Sequence, residues 1–104
     1  MVEFDYHQLN DLIHSRLRLA IITALIHYGE SDFNFLKKST GSSDGNLSVN
    51  TKKLVESGYL ESKKSFIDEK PVTKYTLTEK GRRDYEIYVT RLLRLLKSLV
   101  TYIS

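Results

Sequence analysis

Cysteine is absent from these 104 residues, which excludes disulfide staples, thiolate zinc sites and thiol redox sensing. No apolar run approaches the roughly 20 residues that a membrane-spanning helix needs, so no membrane association is expected. The opening MVEFDYHQLND is acidic and mixed, without the basic-then-apolar layout of a secretory signal. A cytoplasmic protein is the plain expectation. Catalytic patterns are missing as well, since no Ser–His–Asp or paired-carboxylate constellation stands out from the surface residues. Gly41 and Gly45 form the one close glycine pair, but without the spacing and following lysine of a phosphate-cradling loop. His7 and His14 stand seven apart with Asp11 between them, and His27 lies further on. That set is too sparse for a metal site. Neither an enzyme nor a cofactor or metal is expected.

What is present is an ordinary globular balance, with 40% hydrophobic and 28% charged residues. The length suits one domain with one core, spanning 1–104. The net charge of +3 is unevenly spread. Residues 1–36 hold two arginines against five acids, whereas residues 37–77 hold eight lysines against five acids. Residues 78–104 carry six basic and three acidic groups. The chain is thus acidic at first and basic afterwards, the footprint of a polyanion-binding half.

The first segment, Phe4 to Ile13, suits a short helix or an arm. Ser15 is placed to cap the next helix, RLRLAIITALIHYG, which ends at Gly29. Leu17, Ala20, Ile21, Ala24, Leu25 and Tyr28 form its broad apolar face, and Ile22 and Ile26 add a second side. That is more apolar surface than one small domain needs, so the helix is expected to be central with surface left for a partner. Ser31 can cap a short helix, DFNFLKK, with Phe33 and Leu36 inward and two lysines at its C-terminal dipole.

Gly41 then permits a turn into the strongest element of the chain, a helix over 43–57. Ser43 is its N-cap, Asp44 favours its dipole, and Gly58 stops it. Leu47, Thr51 and Leu54 make its inward face. Asn46, Val49, Asn50 and Lys53 lie opposite, with Lys52 at the margin, and Ser48 sits near the helix start. Short polar and basic side chains of this kind can approach base edges and phosphates. Two helices joined by a short glycine turn, the second polar outside, form a helix-turn-helix. YLESKKSF and VTKYTL then read as an antiparallel hairpin over 59–77. Its turn is expected at Ile67 to Pro71, the only proline. Thr78 caps a long helix with Glu79 at its positive end. One stripe runs through 85, 88, 92, 95, 99 and 102, a second through 89, 93, 96, 100 and 103, and pairing with another copy would bury them.

The order helix, helix, turn, helix, hairpin, long helix gives an α+β, mostly helical fold class, a winged helix-turn-helix. HSRLRLAIITAL, SDFNFLKKSTGSSDGNLSVNTKKLVESGYLE and KYTLTEKGRRDYE resemble small one-domain winged-helix transcriptional regulators of the MarR/ArsR type. The likeness covers roughly His14 to Glu86. It implies a homodimer on pseudo-palindromic double-stranded DNA, with 14–77 as helix-turn-helix and wing and 78–104 as the dimerisation helix. On the matching positions, Ser43, Asn46, Ser48, Val49, Asn50 and Lys53 would lie at the major groove. Lys63, Lys64, Lys70 and Lys74 of the wing would lie by the backbone or minor groove. Tyr85, Val89, Leu92, Leu93, Leu96, Leu99 and Ile103 would dimerise. Three residues depart from the pattern: Val49 stands where such regulators commonly carry a basic or polar residue, and Asp68 and Glu69 occupy a tip where arginines are common. On this reading Asn50→Ala relaxes base preference and Lys53→Ala weakens binding uniformly. A winged-helix module for a protein partner, without specific DNA binding, is the alternative. No effector is indicated.

Overall fold

Leu47, Thr51 and Leu54 are all buried, and around them the domain is assembled. The computed structural model describes the backbone of residues 5–103 and the side chains of 5–98 and Val100. Phe4, and the side chains of Leu99 and Ile103, lie outside the described residues. A 3₁₀ turn at Tyr6–Gln8 leads to helix α1 (Arg16–Tyr28), strand β1 (Ser31–Asp32), α2 (Phe33–Thr40) and α3 (Asp44–Glu56). Strands β2 (Leu60–Ile67) and β3 (Lys70–Leu77) then precede α4 (Glu79–Ile103). The sheet is antiparallel in the order β1-β3-β2. This is a winged-helix fold with a C-terminal helix.

The core gathers Ile13, Ile21, Ile22, Leu25, Leu36, Leu47, Leu54, Leu60 and Tyr88, each at most 2% exposed. Burying such a side chain contributes about 1.5–3 kcal/mol. Ile22 corrects the expectation of surplus surface on α1, because that second side is covered by the domain itself: Ile22 is fully buried and Ile26 packs on the core. Tyr28, expected inward, is 61% exposed and meets Phe35 edge to face at 5.1 Å.

Local chemistry explains most boundaries. Ser15 takes the extended N-cap backbone of α1, though its hydroxyl caps no N–H. At α2 the cap is Asp32, whose carboxylate accepts from Phe35 N at 2.8 Å, not Ser31. Ser31 is instead drawn into β1 opposite Tyr75, with its hydroxyl donating to Gly29 O. A two-residue strand is too short to leave a periodic signal. Ser43 Oγ accepts from Asn46 N at 3.2 Å and starts α3. Gly58, at φ +82°, ends it as Tyr59 N donates to Leu54 O and Gly58 N to Val55 O, the Schellman pattern.

The hairpin is longer than its sequence suggests. Pairing runs without interruption from Leu60↔Leu77 to Ile67↔Lys70, so Ile67, Lys70 and Pro71 are strand residues. Only Asp68 and Glu69 turn, both at positive φ (51° and 65°), as a type I′ connection requires. Thr78 begins α4 by accepting from Gly81 N at 3.0 Å. The same hydroxyl donates to Gly58 O at 2.6 Å, and Lys80 Nζ reaches Ser57 O. The start of α4 is therefore bound to the end of α3. Beyond Leu92 the helix leaves the body, giving a molecule 58 × 24 × 22 Å in extent.

Candidate nucleic-acid interface

Helix α3 turns Leu47, Thr51 and Leu54 into the core, and its 3.6-residue period leaves the other face outside. Asn46, Ser48, Lys52 and Lys53 are exposed, and Val49 is 54% exposed. Lys53 has no acidic partner among the described residues, whereas Lys52 lies 4.0 Å from Glu56 one turn on. Ser43 Oγ serves its cap at the helix end. Asn50 differs from its neighbours. It is half-buried, with Oδ1 accepting from Arg18 Nη1 at 2.7 Å and Nδ2 donating to Asn46 O at 2.8 Å.

Strand register sorts the wing lysines. Lys63 stands directly opposite Lys74, and Lys70 lies on the same face four pairs further out. Lys64, opposite Thr73, is on the other face. Like charges facing across a ladder repel. Asp32 of β1 stands opposite Lys74 on its other side, but its carboxylate caps α2, and among the described residues neither Lys63 nor Lys74 forms an ion pair. An anion laid along that face would relieve the repulsion. The tip carries Asp68 and Glu69, flanked by Phe66 at 73% and Ile67 at 47% exposed.

The sequence reading did not single out the arginines of α1 for this site. Arg16, Asn46 and Asn50 line one open groove of about 520 Å³ with Ser15, Thr40 and Gly41. Arg18 meets Asn50 beside it. The available signal was that Arg16 and Arg18 are the only arginines before residue 82, both in the first turn of α1.

The dimerisation set divides. Tyr85, Val89 and Leu92 pack on the domain's own core. Leu93 and Leu96 are 50% and 46% exposed, and Val100 of the same stripe is 59% exposed. The histidines converge on nothing: His7 meets Asp5, and His14 Nδ1 meets Tyr88 Oη at 2.7 Å. Among the described residues no group of three or more histidines and carboxylates can hold a metal ion. None of the described helices is long and apolar enough to cross a membrane.

With this geometry in view, a family profile describing a winged helix DNA-binding domain matches residues 17–96. The chain belongs to that family. This winged-helix protein is also 35% identical over 88 residues to an uncharacterized protein of Methanocaldococcus jannaschii, covering 85% of this chain and 96% of that one. Its fold is similar to that of a transcriptional regulator homologue from Pyrococcus horikoshii OT3, with a TM-score of 0.79 at 22% identity, over 85% of this chain and 87% of that one. The PcaV transcriptional regulator from Streptomyces coelicolor, solved with its natural ligand, aligns with a TM-score of 0.76 at 16% identity, over 94% and 68%. The expected winged-helix fold stands, and the matching family is described as a DNA-binding domain.

Proposed function

We propose that this winged-helix protein is a dimeric, sequence-specific transcriptional regulator that sets α3 in the major groove and the β2–β3 hairpin along the flanking backbone. The observation that carries this reading is the uncovered face of α3, where Asn46, Ser48, Val49 and Lys53 project beside three lysines on one face of the wing. Polar groups of α3 meet base edges, Val49 meets a thymine methyl, and the lysines meet phosphates. Symmetric half-sites would lie about one helical turn, roughly 34 Å, apart. The stripe Leu93, Leu96 and Val100, outside the domain core, supports α4 as the dimer element. The anchoring of α4 to the end of α3 through Thr78 and Lys80 supports a fixed spacing between the two reading heads.

Selection of bound sites from random duplex DNA tests binding, symmetry and spacing together. A pseudo-palindrome with half-sites one turn apart is expected, with affinity falling steeply as salt rises. Absence of any enriched site, with no duplex retention at low salt, would sink the proposal. A protein-interaction module is the second reading, favoured by the exposed Phe66 and Ile67 around the acidic turn. It requires wing-tip substitutions to abolish a protein complex while leaving DNA retention no stronger than that of unrelated basic proteins.

A further inference from the structure

On α1, Arg18 is a half-buried cation without a carboxylate. Its Nε donates to Leu12 O and its Nη1 to Asn50 Oδ1, two neutral acceptors. No acidic side chain pairs with it among the described residues, and its Nη2 group has no partner there. Taking a guanidinium partly out of water without a counter-charge is costly, so the fold retains a positive charge at this spot uncompensated.

The surroundings are built to hold that charge still. Asn10 Oδ1 accepts from the backbone N–H groups of Leu12 and Ile13 at 2.9 and 3.1 Å. That closes the turn from which Leu12 presents its carbonyl to Arg18. On the other side, Asn50 Nδ2 is spent on Asn46 O. With a cation at one end and a carbonyl at the other, the Asn50 amide has one orientation only. An adenine edge needs the oxygen and the nitrogen of one amide together. Here each already carries a bond inside the protein, which holds the amide to the fold instead of leaving it free to turn to a base. The groove beside this pair, lined by Arg16, Asn46, Gly41 and the first turn of α1, is polar and open.

Resting on the DNA-binding reading above, we infer that Asn50 is not a base reader. It is the positioning residue that holds the Arg18 guanidinium at the edge of α3, and Arg18 contacts a backbone phosphate there. α1 thereby supplies the arginine that the outer face of α3 lacks. A planar fork with a free amino group suits a phosphate oxygen, and fixing it beforehand lowers the entropy lost on binding.

The test is fluorescence anisotropy on the selected duplex and a scrambled one, across a salt series, with wild type, Arg18→Gln, Arg18→Lys and Asn50→Ala. Arg18→Gln should weaken both duplexes about tenfold and flatten the slope of log affinity against log salt by about 0.9. Arg18→Lys should keep the slope. Asn50→Ala should weaken both duplexes several-fold alike, and the double variant should be no weaker than Arg18→Gln. Thermal melts identify unfolded variants; should Arg18→Gln unfold, Arg18→Lys and Asn50→Ala carry the decision. An unchanged salt slope in a folded Arg18→Gln protein overturns the inference, as does an Asn50→Ala change confined to preference at one base pair. Wild-type protein that retains neither duplex overturns the DNA-binding reading itself.

Discussion

The Tyr59 hydroxyl donates to Asp84 Oδ2 at 2.7 Å while accepting from Asn10 Nδ2 at the same distance. Three segments meet at this one oxygen: the N-terminal turn, the exit from α3 and the second turn of α4. Burial, and then the bond to Asp84, push the Tyr59 phenol above its ordinary value of 10.0. Burial does the same to Tyr88, reinforced by neighbouring Tyr85.

Tyr59→Phe should therefore cost about 1–3 kcal/mol, because it leaves Asp84 and Asn10 without their partner. The pH dependence has a definite sign. With folded values raised, both phenols contribute stability that is complete below pH 10 and is lost as pH rises through the folded values, since the unfolded chain ionises first. Urea unfolding between pH 8 and 11 should show a falling alkaline limb, shallower in Tyr59→Phe. A limb of unchanged steepness would refute this role.

Gly81 is required by close approach. A Cβ there would stand 2.5 Å from Tyr59 O and 2.7 Å from Leu77 Cδ1. Although alanine favours helices, Gly81→Ala should destabilise by about 1–3 kcal/mol, a drop in Tm of several degrees. A Tm equal to or above that of the wild type would contradict the docking of α4 described above.

If α4 forms the dimer proposed above, its exposed stripe lets assembly be tested apart from folding. Leu93→Asp with Leu96→Asp should shift sedimentation from dimer to monomer. Near-ultraviolet circular dichroism should stay unchanged, as neither side chain belongs to the core. It should also weaken binding to a two-half-site duplex far more than to a single half-site. Sedimentation unaltered by the pair of aspartates would remove this stripe from the dimer.

At the wing tip, Asp68→Asn with Glu69→Gly replaces two residues held at positive φ by the pair that a type I′ turn prefers. A stability gain of about 0.5–1 kcal/mol is expected in thermal melts. Removal of two negative charges should also raise duplex affinity several-fold at low salt, with the gain shrinking as salt is added. Affinity that does not respond would place the tip away from the backbone.

The elements governed by local rules were legible in the sequence. Caps at Ser43 and Thr78, the stop at Gly58, the inward triad of α3 and the hairpin all follow from hydrogen bonds and periodicities within a few residues. So do the winged-helix architecture and the exposed polar face of α3. The tertiary structure decided what depends on partners distant in the chain. It drew Ser31 into a strand against Tyr75, covered Ile22, and divided the α4 apolar residues between core and surface. It also brought Arg18 from 32 positions away to Asn50. Periodicity specifies which face of a helix is apolar or polar, but not which residue of another helix will meet it. That choice is made only when the helices pack.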